Sequence, residues 1–517
     1  MATMQATVST TRTSSVVRPI LIGLVVLVSL FLLLYHLSDF PRPWYDEGSH
    51  LHVAKNFALN GVYADSSSEG YRPFGPAIGV GPTVMLPVAA LFRAFGVSIP
   101  LARLVIVVYS ILTLLTLYVM MMRFVSWPYG LLAVILLLMV PAIGYLYYSR
   151  TVVGEIPGTF FFLLGLALWL HPRGRTIAGL VGVGVLIGLS TITKNQFAFF
   201  LLPALLLCWV ADLVWYKQRG WKYFVIPGVI SGLMFGLWLY IVVIKLGQGG
   251  DFASNLKTLQ TAGMGAFIVI DKDSIPRAVS LLTGIGVYGA LFIPSFLYGI
   301  ITSLKRSEQG QDRGIIAIFL IVSTALFCAS LAWDRYAFGP VVLVVVFVVL
   351  LIRDLVGIAN IKPASWWKTI RQGDATPSVV IGVFLIGWFS VAVLIPLYNR
   401  VHDISSQTNG DAYAVANWVK ANVPQDAVIE TWEQEMGVLT NNKIHYPPQL
   451  VLAYAVAQEW QHGPSAANYY DFRTESTADY IIKGPFGVFT GLYPDDRLSN
   501  YDIINTIGAY QIYKKRS

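Results

Sequence analysis

Two carboxylates stand side by side shortly after the first apolar run, in Pro43-Trp44-Tyr45-Asp46-Glu47-Gly48-Ser49-His50-Leu51-His52. A carboxylate beside low-dielectric surroundings has a tunable proton affinity, which is what a general base requires. The same residues suit a helix start, with Asp46 or Glu47 opening a helix over Gly48–Leu59, and spacing alone leans to that cap. Glu155, in Ser149-Arg150-Thr151-Val152-Val153-Gly154-Glu155-Ile156-Pro157, likewise fits the first turn of a helix that carries Pro157. Yet an acid at the edge of a membrane is costly unless it faces a cavity or a partner. Cations recur elsewhere in the chain: Arg335 in Trp333-Asp334-Arg335-Tyr336, Lys194 in Thr193-Lys194-Asn195-Gln196, and Arg72 and Arg103. Each could snorkel to headgroups, or could bind an anionic phosphate, where arginine gives bidentate contacts.

These residues sit in a membrane chain. Of 517 residues, 56% are hydrophobic and only 12% charged, about half the charge of a soluble protein. Apolar residues gather into runs near the ~20 residues that cross a bilayer. They include Ile20–Leu37, Leu101–Met121, Gly130–Tyr147, Phe224–Ile244, Ile315–Leu331, Val341–Ile352 and Val379–Leu397. The first is longer than a signal-peptide core and is followed by no cleavage motif before Phe40, so it reads as an anchor. Cys208 and Cys328 lie inside apolar runs and imply no redox chemistry.

The net charge of +8 is explained by topology rather than by nucleic acid. Basic residues cluster in alternate connections: Arg12/Arg18, Arg123, Arg173/Arg175, Lys217/Arg219/Lys222, Lys305/Arg306/Arg313 and Arg353 through Arg371. Placed inside by the positive-inside rule, they put the N-terminus in the cytoplasm. The loop 39–99, the Tyr147–Glu155 connection, Gly247–Pro276, Trp333–Tyr336 and everything after Asn399 then lie outside. The count is about eleven crossings. Residues 1–398 form the membrane domain. Residues 399–517 form a small extracytoplasmic α/β domain, with a helix over Asp411–Ala421 and strands over Ala427–Trp432, Ala478–Lys483 and Ala509–Lys514. The Gly-, Asn- and Ser-rich stretch Gly247–Thr261 reads as mobile. His50 and His52 fall on different helix faces and make a poor metal pair.

The Tyr45-Asp46-Glu47-Gly48 motif with its amphipathic helix resembles the GT-C glycosyltransferases. So do Gly81-Pro82-Thr83-Val84-Met85-Leu86-Pro87, Leu101-Ala102-Arg103-Leu104, Gly154-Glu155-Ile156-Pro157 and Asp334-Arg335-Tyr336. The likeness is to the branch of the protein O-mannosyltransferases and the lipid A aminoarabinose transferases. It implies a mostly α, polytopic bundle that takes a polyprenyl-phosphate-linked sugar as donor. A protein, lipid or cell-envelope glycan hydroxyl would be the acceptor, on the outer face of the cell membrane. The resemblance makes Asp46 the base, with Glu47 and Glu155 catalytic beside it. Arg335, Lys194 and Arg72 would hold the donor phosphate, and Tyr45, Tyr148, Tyr336 and His50 would contact sugar or isoprene. The chain departs from sequon-reading oligosaccharyltransferases, because Trp366-Trp367 is followed by Lys368. Asp-Glu replaces Asp-x-Asp, which leaves no expectation of a metal or other cofactor. A polyprenyl-glycan flippase and a non-catalytic scaffold are the rival readings. A flippase should carry charges along its spans, and these runs are nearly free of them.

Overall fold

The computed structural model describes residues 17–73, 79–246, 272–359, 371, 376–407 and 410–516. The Gly247–Thr261 stretch and the Trp366-Trp367 pair lie outside the described residues. Among the described residues, seven helices are long and apolar enough to cross a membrane, including α1 (Val17–Leu34) and α4 (Ile99–Met121). Five apolar helices of 10–17 residues pack with them: α3 (Pro82–Phe95), α5 (Trp127–Met139), α7 (Glu155–Leu170), α8 (Ile177–Thr193) and the helix Phe292–Ser303. The chain is an integral membrane protein. The apolar run expected over Gly130–Tyr147 is not one helix. It stops at Met139, passes Pro141 and a left-handed Gly144, and resumes as a single turn over Tyr145–Tyr148.

Four-residue and three-residue periodicity buries one stripe of each helix in a common core. The helix Phe338–Ile358 is buried almost all round, so it is the central post, and its β-branched valines suit a position packed on every side. Two ends of this bundle can be told apart by their charges. Arg103 opens α4 and Arg123 follows its end, a separation of roughly 30 Å at 1.5 Å per residue. At the Arg123 end, Asp312 binds Arg123 at 2.5 Å and Arg219 at 3.4 Å, and Glu308 pairs with Arg175. The basic loops assigned to one side by charge therefore do meet at one end of the bundle.

The other end carries the remaining elements. After α1, the chain enters α2 (Tyr45–Asn60) and a hairpin of β1 (Ala64–Ser67) and β2 (Gly70–Pro73). The α2 helix starts three residues earlier than Gly48, at Tyr45, and neither acid caps it through a side-chain hydrogen bond. The C-terminal part folds as helices against a five-stranded mixed sheet, ordered β4-β3-β5-β7-β6. Its strands are β3 (Val428–Thr431), β4 (Lys443–His445), β5 (Tyr480–Lys483), β6 (Tyr501–Ile507) and β7 (Tyr510–Lys515). The three expected strands are β3, β5 and β7. The short β4 and the edge strand β6 were not foreseen. Asn399, the expected start of this part, falls inside the helix Ile395–Ser406.

The C-terminal part is bolted to α2. Gly48 abuts the backbone of Gln434 and Glu435 so closely that a Cβ there would lie 2.3 Å from Glu435 N. One face along, Lys55 Nζ donates to Gly437 O at 2.8 Å and Thr440 O at 2.9 Å. It thereby caps the short helix Glu435–Leu439 at its negative end. Gly48→Ala should therefore spring this contact, with an overpacking cost of about 1–3 kcal/mol. Hydrogen exchange of amides 435–440 should speed up in that variant while amides of Phe338–Ile358 stay protected.

Candidate active site

Where α2 meets the C-terminal part, a cavity of ≈ 700 Å3 opens between the two. Asp46, His50, Tyr45, Arg72, Tyr148, Lys194, Arg335 and Tyr336 all line it, although they are spread over 290 residues of sequence. Each is placed by a distinct local device. Asp46 is in the first turn of α2, and His50, one turn later, shares its face. Lys194 sits in the short turn between α8 and α9 (Gln196–Ala211). There Val80 bridges to Lys194, and Gly81 N donates to Thr193 O at 2.9 Å. The approach demands glycine, since a Cβ on Gly81 would lie 1.7 Å from Ile192 O. Arg335 lies in the 3-10 turn Asp334–Ala337, which precedes the central helix.

Two ion pairs occupy the membrane-side wall. Arg335 pairs with Asp46, and Lys194 pairs with Glu155. Burial pushes the Asp46 carboxyl up, but the Arg335 guanidinium pulls harder, so it stands below the ordinary aspartate range and is ionised at neutral pH. His50 Nδ1 lies 2.8 Å from Val152 O, a contact that fixes the Nδ1–H tautomer, because a carbonyl can only accept. Burial holds its imidazole below the usual range, against the opposing pull of Asp46, so it is neutral. The Arg335 guanidinium also rests on the Trp333 ring at 4.7 Å. Asp334 beside it accepts from Tyr148 Oη at 3.1 Å.

Three of the expected site residues have other duties. Glu47 does not reach the cavity. It is fully buried, and its two oxygens receive Arg103 Nε at 2.8 Å, Arg103 Nη2 at 2.6 Å and Val152 N at 3.0 Å. Consecutive residues on a helix point ~100° apart, so Asp46 facing the cavity sends Glu47 into the protein. Glu155 is also fully buried and touches the cavity only through Lys194. Arg72 lines the cavity, but Asp65 holds it at 2.7 and 3.1 Å and it donates to Pro447 O at 3.0 Å, so its charge is already matched. Tyr45 is as much core as lining: its ring stacks on Phe486 at 4.0 Å and meets Trp432 edge-on at 6.0 Å.

The opposite wall comes from Glu433-Gln434-Glu435 and the helix Leu450–Gln461, none of which carries a motif legible in the sequence. Glu433 accepts from Gly487 N at 2.8 Å and Phe486 N at 3.2 Å, and Glu435 from Tyr510 Oη at 2.7 Å. Burial comes first in raising both carboxyls well above the ordinary glutamate range; for Glu433 the charge of Glu435 adds to it.

With the geometry in view, the fold is similar to that of several solved structures of low sequence identity. ArnT from Cupriavidus metallidurans superposes with a TM-score of 0.62 over 96% of this chain and 98% of its own at 14% identity. The form of that protein bound to undecaprenyl phosphate gives 0.63 over 97% and 98%. The archaeal oligosaccharyltransferase AglB from Archaeoglobus fulgidus, in complex with an inhibitory peptide and a dolichol-phosphate, gives 0.59. It covers 97% of this chain and 74% of its own at 12% identity. No protein-family model matches the chain, and no curated protein matches it by sequence. At such identities the likeness speaks for the fold, which is shared from end to end with ArnT.

Two outcomes test the division of roles between the adjacent acids. Glu47→Gln strands half of a buried pair and should cost about 3–5 kcal/mol, read as a large fall in unfolding temperature, whereas Asp46→Asn should leave that temperature nearly unchanged. The glutamates of the far wall predict a pH effect of stated sign. A carboxyl whose folded pKa is raised stabilises the fold fully below its unfolded value, near 4.5, and loses that contribution as pH climbs through the raised value. Thermal stability should therefore decline from pH 5 towards alkaline pH, and Glu433→Gln should flatten the slope.

Proposed function

We propose that the protein is a glycosyltransferase that moves a sugar from a polyprenyl-phosphate donor to an acceptor hydroxyl. The observation that carries this reading is the membrane-side wall of the cavity. There a carboxylate and two cations converge beside the helices, within reach of a lipid headgroup. ArnT is seen bound to undecaprenyl phosphate and AglB in complex with a dolichol-phosphate, which agrees with a lipid phosphate at this place.

In this reading the donor phosphate takes Arg335 and Lys194 from their carboxylate partners. Preorganised cations stabilise charge as it develops on the leaving phosphate, so they act where the transition state needs them. Asp46, released from Arg335, accepts the proton of the acceptor hydroxyl. That oxygen attacks the anomeric carbon as the carbon–oxygen bond to phosphate breaks, and the electron pair leaves with the polyprenyl phosphate. In-line attack inverts the anomeric centre. Glu155 holds Lys194 in place until the donor arrives, and His50, neutral and hydrogen-bonded to Val152, orients the Asp46 face of α2. The step needs no metal or other cofactor.

The reaction belongs to the outer face of the membrane. The cluster of Arg123, Arg175 and Arg219 around Glu308 and Asp312 supports a cytoplasmic assignment of that end by the positive-inside rule, and the cavity lies at the other end. The N-terminus is then cytoplasmic and the C-terminal part extracytoplasmic. A flippase fits less well, because these charges are paired at helix ends beside one cavity instead of being strung along a path.

Asp46→Asn should lower transfer by about 10^2–10^4-fold while keeping donor-lipid binding, as expected for removal of a general base. Arg335→Met should instead lose affinity for the lipid phosphate. Lipid profiling of cells lacking the protein should show accumulated polyprenyl-phosphate sugar together with loss of one surface glycan. If Asp46→Asn protein transferred sugar at the wild-type rate, the base would lie elsewhere.

A further inference from the structure

The cavity is segregated by charge. Its membrane-side wall presents Arg335 and Lys194, whereas Glu433, Glu435 and Glu459 lie on the wall supplied by the C-terminal part. Two cations stand beside that second wall: Arg42, paired with Asp411 at 2.6 Å and over the Tyr510 ring at 5.8 Å with its Nε left without a partner, and Arg72, held by Asp65 at 2.7 Å.

The second wall also carries hydrogen-bonding atoms that no protein group engages. These are Gln434 Oε1, Glu435 Oε2, Gln449 Nε2 and Trp460 Nε1, with Trp333 Nε1 and Trp44 Nε1 at the rim. Gln434 and Glu435 are only 3% and 1% exposed. Buried polar atoms are satisfied in the great majority of cases, so a group of six around one cavity points to a ligand that supplies the partners. That ligand must both donate, to the two glutamine and glutamate oxygens, and accept, from the amide and indole N–H groups. It must also offer an apolar face. The Trp333 and Trp460 rings, one from each part of the protein, meet at 5.5 Å and 68°, and Phe489 continues the surface at 6.2 Å from Trp460. Hydroxyls of dual donor–acceptor character on a ring with an apolar C–H face are the chemistry of a saccharide. The Glu459 carboxylate would repel a carboxylate or phosphate brought beside it, whereas Glu433 and Glu435, raised by burial, add hydrogen-bonding capacity more than charge.

We propose that this wall is a saccharide subsite that accepts an uncharged or amine-bearing sugar ring and rejects a carboxylated or phosphorylated one. It rests on the transferase reading only for whether the ring belongs to donor or acceptor.

The test uses the full chain in lipid nanodiscs, because maltoside detergents would themselves fill the subsite. Saturation-transfer NMR is recorded with methyl β-glucoside, methyl glucosaminide and methyl glucuronide as probes. The first two should receive saturation and the glucuronide should not. Gln434→Ala, Gln449→Ala and Trp460→Phe should each weaken the glucoside by about fivefold, the effect of one lost hydrogen bond. Equal binding of the glucuronide, or variants that bind the glucoside like wild type, would overturn the proposal. A second arm measures undecaprenyl phosphate and undecaprenyl-phosphate hexose on wild type and Gln434→Ala. A loss confined to the hexose lipid assigns the ring to the donor. Unchanged binding of both lipids, with the glucoside still weakened, assigns it to the acceptor. Loss of both lipids together with the glucoside means a collapsed cavity and counts against the subsite. Wild-type protein that binds glucoside but not undecaprenyl phosphate would sink the transferase reading while upholding the subsite.

Discussion

The buried pair of Glu47 and Arg103 is the fixed point on which the site depends. Neither residue is exposed at all, and their bidentate contact joins α2 to α4. Arg103 Nη1 reaches on to Leu37 O at 2.8 Å, and Glu47 Oε1 takes Val152 N at 3.0 Å. One ion pair thus ties the exit of α1, the start of α2, the start of α4 and the approach to α7. A buried pair contributes little net stability over an apolar alternative, but it tolerates few arrangements, and here what it fixes is rotation. With Glu47 pinned inward, α2 cannot turn about its axis, and Asp46 is held towards the cavity.

Arg150 applies the same logic to α1. It is fully buried without a carboxylate partner and donates to Leu32 O and Tyr35 O at 2.6 Å and to Phe40 O at 3.0 Å. These are the orphan carbonyls where α1 ends, so the guanidinium meets the negative end of the helix dipole and replaces the water that a membrane edge lacks. The cavity therefore stands on two arginines that never touch it. Its own charges, Asp46 with Arg335 and Glu155 with Lys194, can be exchanged for a ligand's without loosening the frame.

Much of this was legible in the sequence because membranes make composition informative. Apolar runs, alternating basic loops and acids at span ends are physical necessities of a bilayer, and they pointed to Asp46, Lys194 and Arg335 before any contact was known. What could not be read was direction. Asp46 and Glu47 are chemically alike and adjacent, and only Arg103, 56 residues on, decides which faces in. The break of the Gly130–Tyr147 run at Pro141 was written in the sequence, but high hydropathy on both sides masked it. Glu433 and Glu435 look like solvated surface acids in a polar stretch, and only tertiary packing buries them: Gly484 lies against Glu433, and Gly48 lets α2 dock against Glu435. Strand β4, three residues long, has too little pattern to detect.

This dependence of one wall on the docking of the other suggests why the fold extends to ArnT with so little shared sequence. Spanning helices need only be apolar, so most of their residues are free to change, and 14% identity over 96% of the chain is compatible with the same bundle. The constraint concentrates instead at the few places where backbones touch or charges are buried: Gly48 on Glu435, Gly81 on Ile192, Glu47 on Arg103. Between these points the membrane-side wall is set by helix ends, which the bundle fixes. The facing wall is set by side chains of a separate sheet domain, which the bundle does not fix. The wall that carries Arg335 and Lys194 is therefore the part tied to the fold, and the far wall is the part free to change.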